Sequence, residues 1–276
     1  MNRGKKTPVI EHEGCTIIAS GGTSDGSDPK SGLWLHFKAG TDAGHETLRQ
    51  AFARHGPELL SHDFGPVTGI SDQSGELRPA FELLLDGLTY DACLTHVKRT
   101  KGGPVYESRP DILPRDMAAV ALRLVPGPHL DGAPHSLPVV RGQFRLAMRL
   151  CTVFPGVLAA GWGPSASLVS REDFCALVAG WEKGGPIPSP GLVTFRSAMG
   201  HALQSRGLAF FTGQELRIEA DLVTDPGYAA RLGLRLAEML IHRGRVFEAE
   251  LFTGPSGEQV RIEPSANGRF VRAWSN

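Results

Sequence analysis

The segment from Pro155 to Asp221 constrains the fold more than any other part of the chain. It joins an apolar run, a turn reading Gly161-Trp162-Gly163-Pro164-Ser165, a helix and two more strand-like runs through short loops. The helix is expected to start at Ser170, because Asp173 three residues later resembles a capping box and an apolar stripe follows at helical spacing. Strands and a helix joined this closely predict an α+β architecture.

The rest of the chain supports the same fold class. A helix is predicted over 42–55, where Gly56-Pro57 supplies the stop, and another between a capping Asp225 and Gly244. Strand-like runs lie at 16–19, 33–37, 90–98, 117–125, 246–252, 259–263 and 269–274. We expect mixed or mainly antiparallel sheet layers with helices packed on one side. The alternation of strands and helices in both halves suggests a duplicated α/β unit.

Proline and glycine crowd the segment 126–138, and we place a domain boundary there. Residues 1–126 then form an N-terminal α+β region, and residues 127–276 a C-terminal α+β domain. The N-terminal region contains a glycine-rich loop at 21–32. Phosphate-binding loops of this composition lead into a helix, whereas this loop leads into a strand, so a mobile surface loop is the favoured interpretation.

Charge and composition narrow the classes of partner. Lysine plus arginine (29) equals aspartate plus glutamate (29), so no overall field attracts polyanions, and a dedicated nucleic-acid binder is disfavoured. The four cysteines are widely spaced and lack a Cys-x-x-Cys pair, which is typical of core thiols in a reducing compartment. No window approaches the ~20 apolar residues of a membrane span. We therefore expect a cytoplasmic protein with no membrane partner, and the oligomeric state stays open.

Catalytic and cofactor motifs are incomplete. Gly161-x-Gly163-x-x-Ala166 matches a dinucleotide fingerprint formally, but Pro164 separates it from the helix start that would hold the pyrophosphate. Ser165 lacks the second glycine of a nucleophile elbow. No His-Glu-x-x-His occurs among the ten histidines. The sequence thus predicts no cofactor, no metal site and no catalytic residue.

One basic feature remains. Arg141, Arg145 and Arg149 recur at four-residue spacing along a predicted helix, and such a stripe could hold a phosphate-bearing ligand. An ordinary solvated helix face is the favoured alternative.

The order of several short motifs resembles the C-terminal part of a bacterial family, the domain of unknown function 4261 family. The likeness covers about residues 117–263 and rests on Trp162-x-Pro164, Val193-Thr194-Phe195 and Phe211-Thr212-Gly213-Gln214-Glu215-Leu216-Arg217-Ile218. The resemblance implies a fold shared with soluble bacterial proteins and brings no agreed catalytic residue. It singles out Trp162, Arg196, Gly213 and Glu215, as a packed indole, a sheet-edge ion pair and a turn, or else as binding residues.

Three functions follow from these observations, in descending order. The first is a non-catalytic module that binds a protein partner. The second is a hydrolase or ligand-binding enzyme of unrecognised type, with a site near Trp162, Arg196 and Glu215, to which His201 could contribute. The third is phosphate or nucleotide binding through the arginine stripe, helped by the basic cluster 98–101.

Overall fold

The structure is a computed structural model that describes residues 32–66, 78–97 and 114–276. The strand predicted at 16–19, the basic cluster 98–101 and all but the last residue of the glycine-rich loop lie outside the described residues. The described chain contains two sheets and six α-helices. The α+β class predicted from the sequence is confirmed.

Seven strands form the first sheet. They are β1 (Leu33–Lys38), β2 (Leu60–Asp63), β3 (Phe81–Leu85), β4 (Leu88–His96), β5 (Met117–Pro126), β6 (Val157–Trp162) and β7 (Ser167–Ser170). Their order across the sheet is β2-β3-β4-β5-β1-β6-β7, and every neighbouring pair is antiparallel. The first described strand, β1, therefore lies inside the sheet, between β5 and β6, which come much later in the chain.

Three helices pack on one face of this sheet: α1 (His45–His55), α2 (Leu137–Val153) and α3 (Arg171–Glu182). Strand alternation turns Leu33, Leu35 and Phe37 toward the helices, where all three are buried. Burial of one such side chain stabilises the fold by ~1.5–3 kcal/mol. As predicted, α3 begins after Ser170, whose Oγ accepts a hydrogen bond from the Asp173 N–H at 3.1 Å.

Six strands form the second sheet. They are β8 (Thr194–Ala198), β9 (Ala202–Arg206), β10 (Glu215–Ile218), β11 (Glu250–Thr253), β12 (Gln259–Pro264) and β13 (Phe270–Ser275). Their order is β11-β12-β13-β10-β9-β8, and only the β10–β13 pair is parallel. Three helices accompany them: α4 (Ser189–Leu192), α5 (Ala209–Thr212) and α6 (Pro226–Arg243). Asp225 caps α6 by accepting from the Gly227 N–H, as predicted.

The two sheets share one chain path in outline. In each, a strand is followed by a helix and then by a meander whose last strand returns beside the first one. The first sheet does this with β1, α1 and β2–β5, and the second with β10, α6 and β11–β13. The meanders have four and three strands, so the returning strand is antiparallel in one sheet and parallel in the other. The expected duplicated unit therefore corresponds to a shared path with unequal strand numbers.

The first sheet extends across the boundary predicted at 126/127. Strand β5 precedes that position and β6 follows it, yet both are hydrogen-bonded to β1. The chain passes to the second sheet only between Ser170 and Thr194, through α3 and α4. A single hydrophobic core contains residues of both sheets, so the proline-rich segment 126–138 is a connection inside the first sheet's layer.

The strand predicted at 246–252 begins later, at Glu250. Val246 is buried, and its backbone is paired with a side chain instead of a strand. Its N–H donates to Gln214 Oε1 at 2.8 Å, and its carbonyl accepts from Gln214 Nε2 at 3.1 Å. This buried amide therefore replaces the ladder partners that a longer strand would need.

Candidate binding groove

A groove between α3 and α6 is the candidate binding site in the described part of the chain. Its volume is about 790 Å³, within the range of sites that bind small molecules or peptide segments. Its walls come from β7, α3, the connection before α4, and α6. The apolar lining residues are Val169, Ala176, Leu177, Trp181, Pro186, Ile187 and Leu234, and the polar ones are Asp173, Ser189, Arg231, Arg235 and Glu238.

Small side chains on α3 keep the groove open. Phe174 and Val178 point into the core, while Ala176 and Gly180 lie on the exposed side of the helix. A Cβ added at Gly180 would meet no atom within 4 Å. Glycine in a helix interior costs about 1 kcal/mol relative to alanine. Gly180 therefore weakens α3 at a position where a larger side chain would enter the groove.

Helix α6 supplies the opposite wall. Its inward side buries Leu232, Leu236 and Leu240, and its outward side turns Arg231, Leu234 and Arg235 to the groove. Leu234 is 37% exposed and is one of six large apolar side chains that are exposed among the described residues. Its position in a concave apolar site distinguishes it from a scattered surface leucine.

Two arginines give the groove its charged edge. The Arg235 guanidinium lies 5.9 Å from the centre of the Phe252 ring, and Arg231 is exposed. Within residues 32–66, 78–97 and 114–276, neither forms an ion pair. Glu238 is engaged elsewhere, because its Oε1 accepts from the Ile187 N–H at 3.4 Å. The groove therefore combines an apolar floor with two cations that can meet an incoming carboxylate.

Trp162 lies outside this groove. It ends β6, is 2% exposed, and packs edge-on against Phe144 at 5.3 Å and Phe210 at 5.2 Å between ring centres. Its Nε1 has no hydrogen-bond partner among the described residues. Trp162 is therefore packed in the core, which is the position of a structural indole.

Glu215 holds a turn together. Its carboxylate accepts hydrogen bonds from the Ser205 hydroxyl at 2.5 Å and from three backbone N–H groups. Those donors are Gly207 at 2.9 Å, Ala209 at 3.2 Å and Leu208 at 3.3 Å. Gly207 has φ 101°, and a Cβ there would lie 2.6 Å from the Leu192 carbonyl oxygen. Four internal donors use the acceptor capacity of the carboxylate, so Glu215 stabilises the entry to α5.

The remaining residues of the predicted enzyme site are not brought together. Arg196 is exposed on β8, the edge strand of the second sheet, and His201 lies in the turn between β8 and β9. Glu215 binds the turn at the other end of β9, and four strand residues span about 13 Å. Gly213 has φ 72° and ends α5, as a glycine in a left-handed turn does. These side chains do not form one constellation.

The arginine stripe of α2 is engaged by carboxylates from neighbouring elements. Arg141 Nε donates to Glu182 Oε1 at 2.7 Å. Arg145 pairs with both Glu182 and Asp86, and Arg149 Nη2 donates to Glu58 Oε1 at 2.6 Å. The three cations that the sequence offered as a possible phosphate site are thus paired with carboxylates of the protein.

The sequence analysis did not identify a set of buried polar residues on the first sheet. His36, Thr95 and Arg123 lie on the face of the first sheet away from α1–α3, and each is 3% exposed or less. Burial lowers the pKa of His36 to about 4, so the imidazole is neutral at physiological pH. The Arg123 guanidinium lies 5.4 Å from the centre of the Trp34 ring. In the sequence, Arg123 interrupts the apolar strand Met117–Pro126. This charged residue was the signal that could have identified the buried polar set.

Comparisons with protein-family models, with curated proteins and with solved structures find no match to this chain. The resemblance to the domain of unknown function 4261 family therefore stays a prediction.

In the described ranges, no cluster of three or more His, Cys, Asp or Glu residues could hold a metal ion. Likewise, none of the described helices has the length and apolar character needed to cross a bilayer.

Proposed function

We propose that the protein is a non-catalytic interaction module that binds an apolar segment of a partner protein in the groove between α3 and α6. The observation that carries the proposal is the groove itself, with its apolar lining, its exposed Leu234 and its two arginines without ion pairs among the described residues. An amphipathic helix that places apolar side chains at i, i+3 and i+4 against Leu177, Trp181 and Leu234 would fit such a groove.

The charged edge defines the chemistry of the partner segment further. Arg231 and Arg235 lie four residues apart on α6, so they present two cations along one side of the groove. An acidic residue next to the apolar positions of the partner would pair with them. We place the interaction in the cytoplasm, where the free thiols of Cys93, Cys151 and Cys175 stay reduced.

The test compares two exposed leucines. Immobilised wild type, Leu234→Asp and Leu251→Asp are each incubated with a lysate of the native host, and bound proteins are identified and quantified. Leu251 is 57% exposed on β11, outside the groove, and serves as the matched control. We expect Leu234→Asp to lose at least about tenfold of the partner, since it replaces an apolar contact in the groove by a charged group, and Leu251→Asp to retain it.

A second variant separates loss of binding from loss of folding. Gly180→Leu adds a side chain to the groove at a position where the structure has open space, and it raises helix propensity by up to about 1 kcal/mol. We expect a variant at least as stable as wild type that no longer retains the partner. Equal recovery of the partner by all four proteins, or no reproducible partner at all, would disprove the proposal.

A further inference from the structure

The segment 247–251, which leads from α6 into β11, presents two apolar side chains to solvent. Phe247 is 78% exposed and Leu251 is 57% exposed. Strand β11 is an edge strand of the second sheet, so one of its sides has no neighbouring strand among the described residues. Exposed apolar side chains grouped at an open sheet edge are typical of a surface that another chain covers.

The segment and the groove between α3 and α6 have similar lengths. Phe247 and Leu251 lie four residues apart, so their Cα atoms are at most about 13 Å from each other. Helix α6 lines the groove from Arg231 to Glu238, which corresponds to about 10 Å along the helix. Both apolar side chains of the segment can therefore lie along the groove together.

The charge of the segment matches the α6 wall of the groove. Glu248 lies between the two apolar residues, is exposed, and forms no ion pair with a described residue. On α6, Arg231 and Arg235 line the groove and form no ion pair within the described ranges either. The acidic lining residues lie apart from them, because Asp173 is on α3 and Glu238 accepts from the Ile187 N–H. A carboxylate that enters with the segment can thus pair with a guanidinium of α6.

The direction of Leu251 excludes the groove of its own chain. Its neighbour Phe252 faces α6, where the Arg235 guanidinium lies 5.9 Å from the centre of the phenylalanine ring. Successive side chains of a strand point to opposite faces, so Leu251 points away from α6 and from the groove that α6 lines. The groove of another molecule is under no such restriction.

We propose that the segment 247–251 of one copy of this chain docks in the groove between α3 and α6 of a second copy, so that self-association covers the groove. Phe247 and Leu251 pack against the apolar lining around Leu234, and Glu248 pairs with the arginines of α6. This inference rests on the groove of the proposed function and adds a regulation to it. A partner protein has to compete with the second copy, so the fraction of open grooves falls as the concentration of the chain rises.

The experiment measures the average mass of the purified full chain by sedimentation equilibrium at about 1 to 100 µM, a range suited to the weak affinity of a small interface. We expect the mass of wild type to rise above that of the monomer with concentration. Leu234→Asp, which damages the groove, and Phe247→Asp, which damages the segment, should each stay monomeric. Leu84→Asp changes an exposed residue of β3 outside both surfaces and should behave as wild type.

A mixture of the two monomeric variants tests the contact itself. Leu234→Asp keeps an intact segment, and Phe247→Asp keeps an intact groove. An equimolar mixture should therefore form a complex that neither variant forms alone. Circular dichroism of each variant shows that it is folded.

Three results would overturn the inference: a wild type that stays monomeric throughout, self-association that a folded Leu234→Asp or Phe247→Asp leaves unchanged, or a mixture without a complex. The proposed function fails by a different measurement, namely capture from the lysate. Leu251→Asp separates the two, since it should weaken self-association and still retain the partner. Self-association of the purified chain without any lysate partner would leave this inference standing and reject the proposed function.

Discussion

Helices α2 and α6 both carry arginines at four-residue spacing, and the two sets have different surroundings. On α2, Glu182, Asp86 and Glu58 approach from α3, from the β3–β4 turn and from the segment after α1. On α6, Arg231 and Arg235 border the groove, and no ion pair forms for either in the part of the chain that the structure describes. The same spacing thus gives an internal clamp on α2, in which the arginines are ion-paired, and an open edge on α6, where the arginines line the groove.

The difference shows that helical spacing specifies a face and leaves its use undetermined. The elements packed opposite decide whether a cation is neutralised or available. Glu182 contributes most to the clamp because it accepts from two guanidinium groups while its side chain is only 20% exposed. Among the described residues Arg231 forms no ion pair, although Asp173 and Glu238 also line the groove, and Glu238 accepts from the backbone N–H of Ile187. Changes at Glu182 and Glu238 therefore test the comparison directly.

The largest effect is expected for Glu182→Ala. Arg141 and Arg145 would lose their shared acceptor while remaining partly buried, so the free energy of unfolding should fall by about 2 kcal/mol. Glu238→Ala, the matched change on α6, removes one long hydrogen bond and should cost less than about 1 kcal/mol. Urea denaturation of both variants measures the two values. Equal losses would show that Glu182 contributes no more to stability than Glu238, a carboxylate that pairs with no described arginine.

An intermediate effect is expected from acid. Burial alone would raise the pKa of Glu182, but hydrogen bonds from Arg141 and Arg145 outweigh it and lower the pKa below its ordinary 4.5. The contribution of the ionised carboxylate is therefore complete above about pH 4.5 and is lost as pH falls through the folded-state pKa. Thermal unfolding of wild type and Glu182→Gln should differ at pH 7 and converge toward pH 3. A difference that stays constant over this range would contradict the assignment.

The smallest effect is expected for Arg149→Ala. Arg149 and Glu58 are both more than half exposed, and such pairs contribute about 0.2–1 kcal/mol.

The stripe should also add nothing to anion binding, because its charges are already matched. Calorimetric titration with inorganic phosphate should give the same weak signal for wild type and Arg145→Ala. If Arg145→Ala abolished a measurable phosphate affinity, the stripe would be an anion site after all.

The sequence predicted elements best where local chemistry marks their ends. Ser170 and Asp225 cap α3 and α6 as expected, because capping depends on a few consecutive residues. Strands β2, β3, β7 and β9 were missed. β2, reading Leu-Ser-His-Asp, is an edge strand without alternating apolar residues. The start of β11 was misplaced because Gln214, 32 residues away, pairs with the Val246 backbone.

The candidate site was beyond prediction for a related reason. The groove is formed by helices about 50 residues apart, and its most informative residue, Gly180, resembles an ordinary weak point in a helix. Glu215 was singled out through its motif, but three of its four donors are backbone N–H groups that the sequence does not display. Side chains alone could not distinguish an anchor from a binding residue.

The position of β13 has a consequence for how the chain is made. This strand, Phe270–Ser275, lies in the middle of the second sheet, between β12 and β10. Until it leaves the ribosome, β10 has an open edge on that side and β12 has no neighbour beyond β11. Domains tend to fold during synthesis from the N-terminal end, so the first sheet can form while the second waits for β13. We expect nascent chains stalled before residue 270 to depend on chaperones that shield these unpaired edges.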